Sequence, residues 1–211
     1  MSQVSTDDPA SVFINCPFTA DYRELLEATI FTVLACGLRP RSALEASDGG
    51  DSRLEKIVRL IRESRFSIHD ISMVDLDDIS GLPRFNMPFE LGIVVGCKKL
   101  GGQPHASKSL LILESVKYTY QKCLSDISGQ DAHAHGHDPM RLIQIVRDWL
   151  RTESQRNSVP GGKAIGKLFA LFSADLPGIS ADGGLDRDEL PYVDFIGFAQ
   201  AWLLEANPLE P

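Results

Sequence analysis

SRLEKIVRLIRESRFSIHDIS, residues 52–72, reads as a helix that runs almost directly into a strand. Ser52 followed three residues later by Glu55 is a capping-box signature, in which the two side chains satisfy each other's backbone N–H groups. Leu54, Ile57, Val58 and Ile61 then form one apolar face, with Arg53, Lys56, Arg59 and Arg62 opposite. FSIHDIS (66–72) is short, β-prone and bounded by polar residues, as a buried strand is.

The same alternation extends both ways. Upstream, SVFINC (11–16) is an apolar strand stopped by Pro17. Residues 21–36 follow as a mostly apolar helix, with Asp21, Glu24 and Glu27 in its opening turns and Gly37 as its C′ residue. LRPRSAL (38–44) is a second strand. Downstream, MPFELGIVVG (87–96) is a helix with Pro88 in its first turn, SLLIL (109–113) is strand four, 117–126 is a weak helix and QDAHAHG (130–136) a short fifth strand. DPMRLIQIVRDWLR (138–151) is amphipathic, and Asp138 with Pro139 marks its start.

Strands alternating with helices predict an α/β fold: a flavodoxin-like, doubly wound, mostly parallel five-stranded sheet of order 2-1-3-4-5. Residues 1–10 read as a loose leader, 11–151 as the α/β domain, 152–162 as a linker, and 163–211 as a helical extension packed on the main domain.

Composition narrows the function. A formal net charge of −8 disfavours a general grip on nucleic-acid phosphates. Cys16, Cys36, Cys97 and Cys123 form no C-x-x-C pair and sit among apolar neighbours, which reads as reduced thiols in a cytoplasmic protein. No uninterrupted apolar run approaches the ~18 residues of a membrane span, so no membrane is expected as a partner.

Ligands of open α/β sheets bind beyond the carboxyl ends of the strands. That rim collects Asn15, Pro17 and Phe18 after strand one, Asp70 and Ser72 after strand three, and Asn86 and Glu90 at the head of the next helix. Glu90 is the one charged residue between Phe89 and Cys97. It reads either as a first-turn acid complementing the helix dipole or, in this company, as a functional carboxylate. Gly92 and Gly96 are expected to let this helix sit close to the sheet.

VFINCPF, SIHDIS and NMPFELGIVVG together resemble the nucleoside 2-deoxyribosyltransferase-like group and, more loosely, bacterial TIR-type domains, over residues 12–113. The resemblance implies a nucleotide or nucleoside N-glycosidase, with NAD+ as the expected substrate if the TIR-like likeness is the nearer. It makes Glu90 the nucleophile or oxocarbenium stabiliser and Asp70 its catalytic partner. Asn15, Pro17, Phe18, Ser72 and Asn86 then line the pocket. No cofactor and no metal is required, and a homo-oligomer is compatible with the group. The chain lacks the Asp- and Gly-rich approach to the Glu found in the transferases. The competing reading is an inactive module of the same fold that binds a nucleotide signal or a partner protein.

Arg39 and Arg41, with Arg53 and Arg59, are candidates to hold phosphates, or else pair with Glu45, Asp48 and Asp51. His133, His135 and His137 have H-x-H spacing, but nothing else completes a ligand set and Gly136 bends the segment, so a hydrogen-bonded loop is the expectation. His69 is expected to be a core or edge histidine, because strand alternation points it away from Asp70.

Overall fold

The structure, a computed structural model, describes residues 8–45, 49–73, 85–122, 124–127 and 129–206. In chain order, β1 is Asp8–Asn15, α1 Arg23–Ala35, β2 Arg39–Ser42, α2 Arg53–Glu63, β3 Ser64–Asp70 and α3 Asn86–Leu100. Then come α4 Gln103–Ala106, β4 Ser109–Glu114, β5 Ala132–Ala134, α5 Pro139–Ser154, α6 Gly162–Asp182 and α7 Tyr192–Ala206. The five strands form one sheet in the order β2-β1-β3-β4-β5, every neighbouring pair parallel. This is the α/β, flavodoxin-like architecture, and the chain order reverses between β1 and β3.

Several boundaries differ from the expectation. β1 begins at Asp8, inside the segment read as leader. The weak helix at 117–126 is two single 3-10 turns, Tyr120–Lys122 and Ser125–Ile127. α5 runs on to Ser154 and α6 starts at Gly162, so only 155–161 of the proposed linker lies outside helices. The Ser52–Glu55 capping box is formed in both directions, and Gly37 takes the left-handed φ of +70° that a C′ position needs.

Strand alternation divides the core. Val12, Ile14, Phe66, Ile68, Leu111 and Leu113 point to one face and pack under α1 and α5. Phe13 points to the other face, where Ile57, Leu60, Ile61 and Val94 of α2 and α3 cover it. Two buried polar groups hold α2 in place. Lys108 Nζ donates to the carbonyls of Ile61, Arg62 and Ser64 at the helix C-terminus, and Lys56 Nζ to those of Ala43 and Glu45 after β2.

The C-terminal helices extend the first core. Phe31 of α1 packs against Phe169 and Phe172 of α6 at ring separations of 5.5 and 5.3 Å, and against Trp202 of α7 at 6.2 Å. By length and composition α6 could cross a bilayer, but here Ile165, Phe169, Phe172 and Leu176 are buried in this core. Arg23 of α1 clasps the α6–α7 connection, donating to the carbonyls of Arg187 and Asp188 at 2.6 and 2.5 Å, while Arg187 pairs with Glu27 at 2.6 Å.

Gly92 and Gly96 do not serve the close helix–sheet approach expected of them. A Cβ at either position would meet nothing within 4 Å.

Candidate functional site

A cavity of about 360 Å3 opens at the carboxyl rim, above the point where the strand order reverses. Among the described residues it is lined by Asn15, Cys16, Pro17 and Phe18 of β1 and the loop after it, Arg53 of α2, Met73 after β3, and Asn86, Met87 and Glu90 of α3. The volume falls at the small end of the range for small-molecule sites, roughly 300–1,000 Å3. Of the residues singled out from the sequence, Asn15, Pro17, Phe18, Arg53, Asn86 and Glu90 meet here.

Glu90 is 5% exposed, and no described residue donates a hydrogen bond to its carboxylate. Burial pushes its pKa up to about 7, and the Arg53 guanidinium pulls the other way. Phe18 contributes to the wall that desolvates it, whereas Phe89 is 57% exposed and Leu91 belongs to the core beneath α3.

Asn15 is fixed in orientation. Its Nδ2 donates to the Met87 carbonyl, which can only accept, and lies 3.0 Å from His69 Nδ1. Both amide hydrogens are thereby used, and Oδ1 remains as the acceptor available to the cavity. His69 is fully buried and its pKa is pushed down to about 3 by desolvation, so the ring is neutral, with Nδ1 accepting. Its Nε2 has no partner among the described residues.

Asp70 is placed elsewhere. His69 shares a face with its register partner Asn15, and Asp70, the next residue, projects to the opposite face beneath α1. Its Oδ1 accepts from the Ser72 N–H at 2.8 Å, and its Oδ2 from Tyr22 at 2.5 Å and from His135 Nε2 at 2.9 Å. Burial alone would raise its pKa, but hydrogen bonding and attraction from His135, with the bonds from Ser72 and Tyr22, outweigh that and hold it below the usual carboxylate value. Asp70 and Ser72 therefore stand in a buried network and do not line the cavity, unlike the pairing of Asp70 with Glu90 that the sequence suggested. The thiol of Cys16 lies within electrostatic reach of both acids. Burial raises its pKa first, and the charges of Asp70 and Glu90 add to the rise.

His135 was not anticipated in this role. Its Nδ1 accepts from the His137 N–H at 3.1 Å, which places the ring proton on Nε2, facing Asp70 and, at 3.0 Å, the Ser72 hydroxyl. The H-x-H-G spacing carried a signal of a histidine bent back onto its own turn, since Gly136 and His137 both have positive φ. No group of three metal-ligating side chains occurs among the described residues.

The phosphate candidates divide. Arg53 lines the cavity. Arg39 is paired with Asp8 and Ser11 near the amino end of β1, the wrong end of the sheet, and Arg41 with Glu45 and Glu63. Arg59 bonds Asp51. Missed by the sequence reading altogether was Tyr22, whose hydroxyl holds Asp70 from the first turn of chain after β1.

No family model, curated protein or solved structure matches the chain.

Proposed function

We propose that the Glu90 cavity binds a nucleoside or nucleotide and cleaves its N-glycosidic bond. The observation that carries this reading is a nearly buried carboxylate without a hydrogen-bond donor, raised to about 7 and facing a cavity at the topological switch point. When the bond between the anomeric carbon and the base breaks, its electron pair leaves with the base and positive charge develops on the sugar ring. An ionised Glu90 beneath that ring stabilises the charge, or captures the carbon covalently until water replaces it and gives up a proton. Asn15 Oδ1 and Asn86 are placed to hold sugar hydroxyls.

Asp70 has no part in protonating the base, because both of its oxygens are already occupied. Among the described lining residues no second carboxyl group stands ready for that task. A base that already carries positive charge departs as a neutral molecule and needs no acid, so a pyridinium nucleotide such as NAD+ suits this site better than a neutral nucleoside. The same shortage of acids favours one alternative, a module that binds a nucleotide without cleaving it. Fold class does not choose between them.

The deciding experiment is incubation of the purified chain, at high concentration, with NAD+, NADP+ and a panel of nucleosides and nucleotides, following released base by chromatography. Release that disappears in Glu90→Gln supports the glycosidase. Saturable binding without release, identical in both proteins, supports the binding module.

A further inference from the structure

A second cavity, of about 370 Å3, lies across the β1–α1 loop from the first, and Phe18 stands in the walls of both. Its floor is apolar, made by Leu26 and Ile30 of α1, Leu44 after β2, and Phe195 of α7. Its rim is acidic. Asp188 and Glu189, on the α6–α7 connection, line it, are exposed, and have no partner for their carboxylates among the described residues. The one cation among its described lining residues, Arg23, is spent on Glu27 and on the carbonyls of Arg187 and Asp188. The Tyr192 ring completes the wall, and its hydroxyl is without a hydrogen-bond partner among the described residues. Apolar surface, aromatic rings and unneutralised acids together favour a flat cation and disfavour an anion of the same shape.

We propose that this cavity, built by the C-terminal helices against α1, binds a planar, positively charged heteroaromatic group. The proposal stands on the lining of this second cavity and is independent of the glycosidase reading.

The test uses the whole chain and two probes of similar size, 1-methylnicotinamide as the cationic ring and nicotinate as the anionic one, titrated by ligand-observed NMR. The expected result is saturable binding of the cation, with nicotinate at least tenfold weaker. Ala20→Trp fills the cavity from an exposed position that lines it and weakens cation binding at least tenfold. Glu189→Lys, which leaves the space open, weakens it at least threefold. Circular dichroism and Tm check that each variant is folded, and the second variant decides the matter if the first is not. Absence of saturable cation binding to the wild type, equal binding of nicotinate, or wild-type affinity in the folded variants would overturn the proposal.

Discussion

Asn15 and His69 are register partners on adjacent parallel strands, and their side chains meet at 3.0 Å between Nδ2 and Nδ1. The contact makes a core histidine the device that aims a cavity residue. His69→Leu is expected to leave one Asn15 amide hydrogen unpaired in the interior, at a cost of about 1–3 kcal/mol in urea denaturation. If Asn15 holds a sugar hydroxyl, the same variant raises KM more than it lowers kcat, because the amide can then rotate. His69→Gln, which can restore an acceptor, should recover part of both effects. Equal loss in the two variants would show that ring packing against Phe13, at 6.0 Å, is all that His69 supplies.

This pair also marks how far the sequence could be read. The strand–helix alternation, the capping box at Ser52 and the switch-point rule for ligand sites are local signals, and from them the sheet order and the gathering of Asn15, Phe18, Asn86 and Glu90 could be anticipated. Parallel register is not local. Only the alignment of Asn15 with His69 shows that Asn15 faces α3 while Asp70 faces α1, on opposite sides of the sheet. Long-range partners were equally hidden, since Asp70 meets His135 and Arg23 meets the carbonyls of 187 and 188 through folding alone. Gly92 and Gly96 misled because a helix-spaced glycine pair looks the same whether it faces a sheet or open space.

Two buried groups give opposite pH dependences of stability. The folded pKa of His69, about 3, lies below its unfolded value near 6.5, so its contribution is fully present above pH 6.5 and is lost as pH falls toward 3. Glu90, at about 7, lies above its unfolded value near 4.5, so its contribution is present below pH 4.5 and is lost as pH rises through 7. Between pH 4.5 and 6.5 the two slopes oppose each other and the wild type should show a flattened stability profile. Glu90→Gln removes one slope. Measured by thermal or urea unfolding, the variant should gain on the wild type by on the order of 2–3 kcal/mol between pH 4 and pH 8. A difference that does not change with pH would mean that Glu90 is solvated.

Asp70→Asn tests whether that residue belongs to the chemistry or to the scaffold. The aspartate accepts from three donors, and an amide must turn its own NH2 toward at least one of them. The expected loss is about 2–4 kcal/mol of stability, read from urea midpoints, with the folded fraction keeping its affinity for nucleotide. A stable variant that binds but no longer releases base would return Asp70 to the catalytic role that the sequence suggested.

Arg53 faces Glu90 from α2, and its charge is the influence that opposes the rise in the carboxyl pKa. If base release requires an ionised Glu90, kcat/KM should climb with pH through an inflection near 7, the value of the unliganded site, and then level off. Arg53→Met keeps the length of the side chain and removes the cation. Burial then acts on Glu90 unopposed, so the inflection moves to higher pH while, for a nucleoside substrate, the plateau reached at alkaline pH stays close to that of the wild type. A substrate phosphate held by Arg53 would add a second signature, a rise in KM for nucleotides that is absent for the matching nucleosides. The two effects separate cleanly, because the first is a shift in the pH at which kcat/KM inflects and the second a rise in KM for nucleotides alone. An inflection that does not move, with kcat/KM lowered equally at every pH, would place Arg53 on the substrate alone and remove it from the tuning of Glu90.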